Sequence, residues 1–198
     1  MPAAIKRFGE TQPRYIVGNW YLPFTNGILA GGAAPGANVI RLTPFQINEP
    51  ITISDLAVRI STLSVGGLCQ AAIYACRPTS NLPGKLLGRT GSMSTTSAAT
   101  VSAGIEGQDV KLAPGIYWFG INQDNATVAF VMQPTTSTNM ARIIGSPTVT
   151  EVLETGSSTS RPCQSFTQTF GTWPDLTNAT LAVSSNHAIG AFKVSAVG

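Results

Sequence analysis

From Asn38 onward, short runs of β-forming residues alternate with turn signals at intervals of about 8 to 12 residues, the spacing of an all-β sandwich or barrel. The first run is Val39 to Ile47. The second, Ile51 to Leu63, alternates at Ile51 and Ile53 and then changes parity to Leu56, Val58 and Ile60. Because a one-residue slip moves every side chain to the other face, this change predicts a bend or bulge near Ser54 and Asp55. Gly66 and Gly67 end the run, and a third follows from Leu68 to Cys76. Pro78, Asn81, Pro83 and Gly84 then lead to a short, edge-like run through Leu86 and Leu87. Val101 to Leu112 reaches a turn at Ala113, Pro114 and Gly115. Ile116 to Asn122 is apolar at successive positions, which predicts a central strand buried on both faces. Thr127 to Met132 is expected to be its antiparallel neighbour, across a turn containing Asp124 and Asn125. Gln133 to Arg161 is a long connection rich in Ser and Thr, with one apolar island at Ile143 and Ile144. Ala188 to Val197 reads as the last strand, and no run has a helical period.

Residues 1 to 37 differ from the rest. Pro2, Pro13, Pro23 and Pro35, together with several glycines, break any long helix or strand. Tyr15, Ile16, Val17, Trp20, Tyr21, Leu22 and Phe24 nevertheless supply more apolar surface than a free linker exposes, so this arm and lead-in must dock on its own domain or on a partner. Residues 38 to 198 are expected to form one sandwich, since a chain of 198 residues fits a single β domain.

Composition narrows the class of function. The chain is 43% hydrophobic but 11% charged, less than half the roughly 25% of ordinary soluble domains. Polarity comes from 40 Ser plus Thr and 18 Asn plus Gln. That balance excludes a coiled coil, which needs charged helix formers, and disorder, which needs high charge and few β-branched residues. Net charge is +3, with the twelve Lys and Arg scattered from Lys6 to Lys193. Nucleic-acid binding draws on a concentrated basic patch, and here the only local excess is Lys6, Arg7 and Arg14. No apolar run reaches 18 residues, so no membrane insertion is expected. The first residues carry basic groups without an apolar stretch and do not read as a secretory signal. Three cysteines, an odd number, argue against a disulfide framework. Cys69 and Cys76, seven residues apart in one strand, should face opposite sides at about 23 Å and read as buried thiols of a protein made in a reducing cytoplasm.

Catalytic chemistry finds little support. His187 is the only histidine and reads as a loop residue before the last strand. No nucleophile elbow, phosphate-binding loop or zinc spacing is present, and no cofactor is expected. Asp109, Asp124, Glu151, Glu154 and Asp175 fall in or beside loops, where solvation is the simpler reading. A glycosidase pair would need two carboxyls about 5 to 9.5 Å apart across a groove, which spacing cannot establish. Aromatics are more informative, because sugar rings pack on indole faces while hydroxyls and amides bond the rim. Tyr117 and Trp118 sit inside an apolar run and read as core. Trp173, in Gly171-Thr172-Trp173-Pro174-Asp175, is either a plug over the sandwich end or a ligand platform. Asn125-Ala126-Thr127 and Asn178-Ala179-Thr180 match glycosylation acceptors, which mean little without a secretory signal.

Several segments occur in a telling order: Pro44-Phe45, the strand with Leu56, Val58 and Ile60, Ala72-Ile73-Tyr74-Ala75, Pro83-Gly84-Lys85-Leu86-Leu87, Leu112-Ala113-Pro114-Gly115-Ile116-Tyr117-Trp118 and Trp173-Pro174-Asp175. Together with the lead-in from Arg14-Tyr15 to Asn19-Trp20-Tyr21, they resemble a jelly-roll module of structural proteins in tailed bacteriophages and gene-transfer particles. It occurs there in tail fibres, head fibres and spikes. The similarity spans about residues 14 to 198.

The resemblance implies an antiparallel jelly-roll β-sandwich with an extended N-terminal arm, made in the host bacterial cytoplasm and carried on a virion, commonly as a homotrimer. Its partners would be copies of itself, capsid or tail proteins and a host-surface glycan. The chain has almost nothing beyond the module, which favours a short head spike, decoration or tail-tip protein over a long fibre. Virion docking is expected at Lys6, Arg7, Phe8, Arg14 and Tyr15, with loops around Thr135 to Ser160 and Trp173 facing outward. Trp173 and Asp175 are the candidate ligand contacts. The alternative is a free-standing carbohydrate-binding module or lectin, which would not need a docking arm. An enzyme, such as a glycan depolymerase or esterase using Asp124, Glu151, Glu154 or Asp175, is the least supported class.

Overall fold

The computed structural model describes residues 14–22, 30–133, 163–184 and 187–198. Among them, in chain order, are strands β1 (Trp20–Tyr21), β2 (Ala30–Ala33), β3 (Val39–Ile47), β4 (Ile51–Thr62), β5 (Leu68–Cys76), β6 (Pro83–Arg89), β7 (Met93–Ser94) and β8 (Thr100–Gly104). They continue with β9 (Val110–Leu112), β10 (Gly115–Gln123), β11 (Ala129–Gln133), β12 (Gln164–Thr167), β13 (Ala182–Val183), β14 (His187–Ala188) and β15 (Ala191–Val197). All pairings are antiparallel and fall into two sheets, so the protein is an all-β sandwich.

The order of strands identifies the topology. In the first sheet β2 lies beside β11, β11 beside β4, and β4 beside β8 and β9; in the second the order is β3-β10-β5-β6. The chain crosses between sheets from β3 to β4 to β5, stays for β6, crosses to β8 and β9, returns at β10 and crosses again at β11. With β8 and β9 end to end in one position beside β4, eight strand positions wound this way are the two Greek keys of a jelly roll. Residues outside that frame complete the edges. The C-terminal β15 pairs with β4 from Ile51 to Ala57, and β1 pairs with β15.

Side-chain alternation fills the space between the sheets. Ile51, Ile53, Leu56, Val58 and Ile60 of β4 meet Phe45 and Ile47 of β3, Phe119 and Ile121 of β10, and Phe192 and Val194 of β15 in one buried cluster. The parity change in β4 is a bulge at the expected place. Lys193 pairs with Asp55 and Val194 with Ile53, so Ser54 is the extra residue. Pro44 lies in β3 beyond the residues paired with β12, which are Val39–Leu42 among the described residues.

β10 is central, hydrogen-bonded to β3 on one side and β5 on the other. Phe119 and Ile121 face the inter-sheet core, whereas Trp118 faces outward and is still fully buried. Its cover is the connection from β12 to β13, residues 168–181, which folds over the outer face of the second sheet. Trp173 and Leu176 from that segment join Trp118, Tyr74, Ile40 and Leu42 in a second apolar cluster. Two arginines pin the cover, Arg77 Nη2 donating to the carbonyls of Leu176 (2.6 Å) and Ala179 (2.7 Å) and Arg89 Nη1 to Gly171 (2.9 Å), while Arg41 Nη1 donates to Ser184 Oγ (3.1 Å) where β13 ends. The cover therefore creates the double burial of β10. Cys69 and Cys76 face opposite sides of β5, and all three thiols are free.

Two expectations are corrected. Thr127 to Met132 is not the in-sheet neighbour of Ile116 to Asn122, because both edges of β10 are already occupied by β3 and β5. The Asn125 carboxamide oxygen accepts the N–H groups of Thr127 (3.1 Å) and Val128 (3.0 Å), forming a corner that sends β11 to the other sheet. Val101 to Leu112 is not one strand. It breaks into β8 and β9 around Gly107, whose φ of 85° suits a glycine turn. Within residues 1–37, the described parts 14–22 and 30–37 supply β1 and β2 to the sandwich.

Candidate functional site

The sandwich has two chemically different ends. At one, the Tyr15 N–H donates to Glu49 Oε1 (2.6 Å) and the Gly198 N–H to the Pro50 carbonyl (2.9 Å), so both described chain termini lie beside the β3–β4 turn. A run of aromatic rings starts here. Tyr15 meets Tyr21 edge-on at 4.7 Å and Phe192 at 5.9 Å, and Phe192 leads inward to Phe45 and Tyr117 in steps of 6.1 and 6.0 Å. The Tyr21 hydroxyl accepts the Ile16 N–H at 2.6 Å. Burial, then the Glu49 carboxylate, raises the Tyr15 hydroxyl pKa.

Of the residues expected to dock, Tyr15 is half-buried with its ring in that run, Arg14 is exposed beside it, and Lys6, Arg7 and Phe8 lie outside the described residues. Ile16 and Val17 are exposed next to them.

The other end lies the length of β4 away, roughly 35 to 40 Å for twelve extended residues. It gathers the turns at 34–38, 63–67, 95–99 and 124–128. Val65 is 87% exposed at the tip of a turn closed by the Gly67 N–H on the Ser64 carbonyl (3.2 Å), with Gly66 at φ 74°. Most polar groups nearby serve the loops themselves. Asp124 Oδ1 accepts the Leu68 N–H (3.0 Å) and Asn125 Nδ2 (2.6 Å), and the Thr95 hydroxyl donates to the Ser64 carbonyl (3.2 Å). Asp124 thus braces a turn, and Asn125 of the first glycosylation match shapes the corner. Glu151, Glu154 and the Thr135–Ser160 stretch lie outside the described residues. Among the described residues no group of three His, Cys, Asp or Glu side chains could hold a metal ion.

Trp173 is a plug, but over the outer face of the second sheet rather than the sandwich end. The ring is 8% exposed, lies against Tyr74 at 6.2 Å, and donates its Nε1–H to Gln70 Oε1 at 2.8 Å. Gly120 lets it lie close on β10, since a Cβ there would stand 3.1 Å from the indole. With both the ring and its N–H occupied, Trp173 has no free face for a ligand, which corrects the platform alternative. Asp175 is fully exposed, and its Oδ1 accepts the Thr177 N–H at 2.8 Å. Those Thr177 bonds, with Lys85 nearby, hold its carboxyl below the ordinary range. It shapes the turn after Trp173.

One concave site is not among the sequence-derived candidates. On the outer face of the first sheet a groove of about 160 Å³ is lined by Leu22, Ala57, Arg59, Thr100, Val131 and Ala191, with Ile189 and Gly190 behind them. Cross-strand register explains it. Phe192 and Leu56 pair with each other and point inward, so their neighbours Ala191 and Ala57, also paired, point outward as two methyl groups. Arg59 and Thr100 are opposite one another on the same outward face. Gly190 cannot add a side chain, because a Cβ would run into the Phe119 ring and the Ala57 carbonyl. A floor of methyls and bare backbone between longer side chains makes the hollow. The sequence signal was two alanines at outward positions of otherwise bulky strands, legible only once the two strands are known to pair. No protein-family profile and no curated protein matches the chain.

Proposed function

We propose that this chain is a virion structural protein of a tailed bacteriophage, a head fibre or spike, decoration or tail-tip protein. It docks through its N-terminal arm and presents the jelly roll outward. The observation that carries the reading is polarity: the described chain enters beside the β3–β4 turn, with Arg14 and exposed Ile16 and Val17, while the loop tips gather at the opposite end. A module so arranged can be held at one end and meet a host surface with the other. The hydroxyl- and amide-rich surface suits close contact with neighbouring subunits, since few charges must be desolvated. The role is binding rather than catalysis, and the resemblance implies presentation as a homotrimer.

The fold dictates how to test this. Tyr15 to Tyr21 belong to the sandwich, so the arm should be cut after Pro13. Particles assembled with the chain lacking residues 1–13 should lose it during purification, while the isolated truncated protein keeps its melting temperature. Full occupancy on such particles would refute docking by the arm.

A free-standing carbohydrate-binding module is the second reading, and the groove beside Arg59 favours it. Such a protein would bind glycan with or without residues 1–13 and would be absent from purified particles.

A further inference from the structure

We infer that the groove on the outer face of the first sheet binds a carboxylated sugar, with Arg59 receiving the carboxylate. The inference goes beyond the particle assignment and holds for either reading above.

Three features point to that ligand class. The floor is flat and apolar: the Ala57 and Ala191 methyl groups sit side by side, with Gly190 baring its backbone beside them. Such a floor matches the C–H face of a pyranose ring. The volume of about 160 Å³ holds about five waters at roughly 30 Å³ each, which is room for one sugar unit and too little for a folded peptide.

The rim is polar and cationic. Thr100 places a hydroxyl opposite Arg59, and Ser102 places a second opposite Ala57. Arg59 is exposed and has no ion-pair partner among the described residues, where the ion pair formed is Arg89–Glu106 at 2.9 Å. An unpaired guanidinium over an apolar floor offers a planar two-pronged site for a carboxylate. The next outward row along the strands, about 7 Å away, pairs Trp20 with Lys193, and Lys193 with Asp55. Lys193 stands across from Asp55 in that row without an ion pair among the described residues, and Arg59 is the cation that lines the groove itself. Trp20, 43% exposed, offers an indole face to an adjoining sugar of the same glycan.

The test uses the isolated full-length protein and calorimetric titration with the methyl glycosides of N-acetylneuraminic acid and of glucuronic acid. Methyl glucoside serves as the neutral control, and an acetylated tripeptide with a free C-terminus as the competing carboxylate. At least one acidic glycoside should bind saturably, and methyl glucoside at least about ten-fold more weakly. Arg59→Ala should weaken the acidic glycoside about ten-fold or more without moving the melting temperature, whereas Arg14→Ala should leave binding unchanged. Added salt should weaken binding to the native protein more than to the Arg59 variant.

Any one of four results overturns the inference: no saturable binding of either acidic glycoside, undiminished binding by Arg59→Ala, tighter binding of the tripeptide, or a change of oligomeric mass on Arg59→Ala. The last would make the groove a contact between copies. None of these bears on whether the chain is found on particles, so the two proposals fail separately.

Discussion

Trp173→Ala tests the claim that the second sheet is covered by its own chain. Trp173 is 92% withdrawn from solvent as part of the second apolar cluster, and truncating such a residue costs about 3 to 5 kcal/mol in transfer and cavity terms. Gln70, itself 4% exposed, loses the indole N–H that its Oε1 accepts, and an orphaned buried acceptor adds about 1 to 3 kcal/mol. Water entering the vacated space offsets part of this second term, so a total of about 4 to 6 kcal/mol is expected, a large share of the about 5 to 15 kcal/mol that holds a domain together. For a chain of this size about 2 to 4 °C accompanies each kcal/mol, which sets the expected loss at roughly 10 to 20 °C in differential scanning calorimetry. Trp173→Phe keeps the apolar cover and forfeits the hydrogen bond, so its loss should be limited to about 1 to 3 kcal/mol. A shift below about 3 °C for the alanine variant would mean that the ring does not hold the cover on the second sheet.

Other expectations follow from the same contacts. Gly190→Ala forces a methyl into the Phe119 ring and the Ala57 carbonyl and should destabilise by about 1 to 3 kcal/mol or more in urea unfolding; an unchanged midpoint would mean the β15 approach is looser than described. Burial, reinforced by Asp124 at Cys69, pushes the Cys69 and Cys163 thiols up to about 12. Native protein at pH 8 should therefore react with a disulfide reagent first at half-buried Cys76, and Cys76→Ser should make it nearly silent. The same raised values stabilise the fold fully below the ordinary thiol pKa of 9.0. Above it the unfolded thiols ionise first, so stability should fall by about 1.4 kcal/mol per pH unit per thiol until about pH 12. Removing residues 1–22 instead of 1–13 strips β1, Tyr15 and Tyr21 from Phe192 and should lower the melting temperature, which circular dichroism would register.

The parts legible in the sequence were those set by local alternation. The bulge at Ser54, the opposite facing of Cys69 and Cys76, and the double burial of the strand at Ile116 to Asn122 all follow from which neighbours in the chain are apolar. The parts that were not legible depend on pairing across the sandwich. Apolar β11 reads the same whether it returns beside β10 or crosses to β4, and only the Asn125 corner and the occupied edges of β10 decide. Trp173 in a Gly-Thr-Trp-Pro-Asp loop looks exposed because the surface that buries it, Tyr74 and Trp118 on the back of the sheet, is recruited from about 99 and 55 residues earlier in the sequence. The groove at Ala57, Ala191 and Arg59 stayed hidden for the same reason, its floor being built from two strands far apart in the chain.

A particle component anchored at its N-terminal end would show both its place and its orientation on the virion. Electron cryomicroscopy of the purified virions, with the 63–67 turn marked by a gold label on Val65→Cys in a cysteine-free background, tests that anchoring most directly. The expected result is jelly-roll density on the particle with the residue 14 end against the capsid or tail and the label pointing outward. Purified particles without this chain, or with the labelled turn buried against the particle, would contradict it.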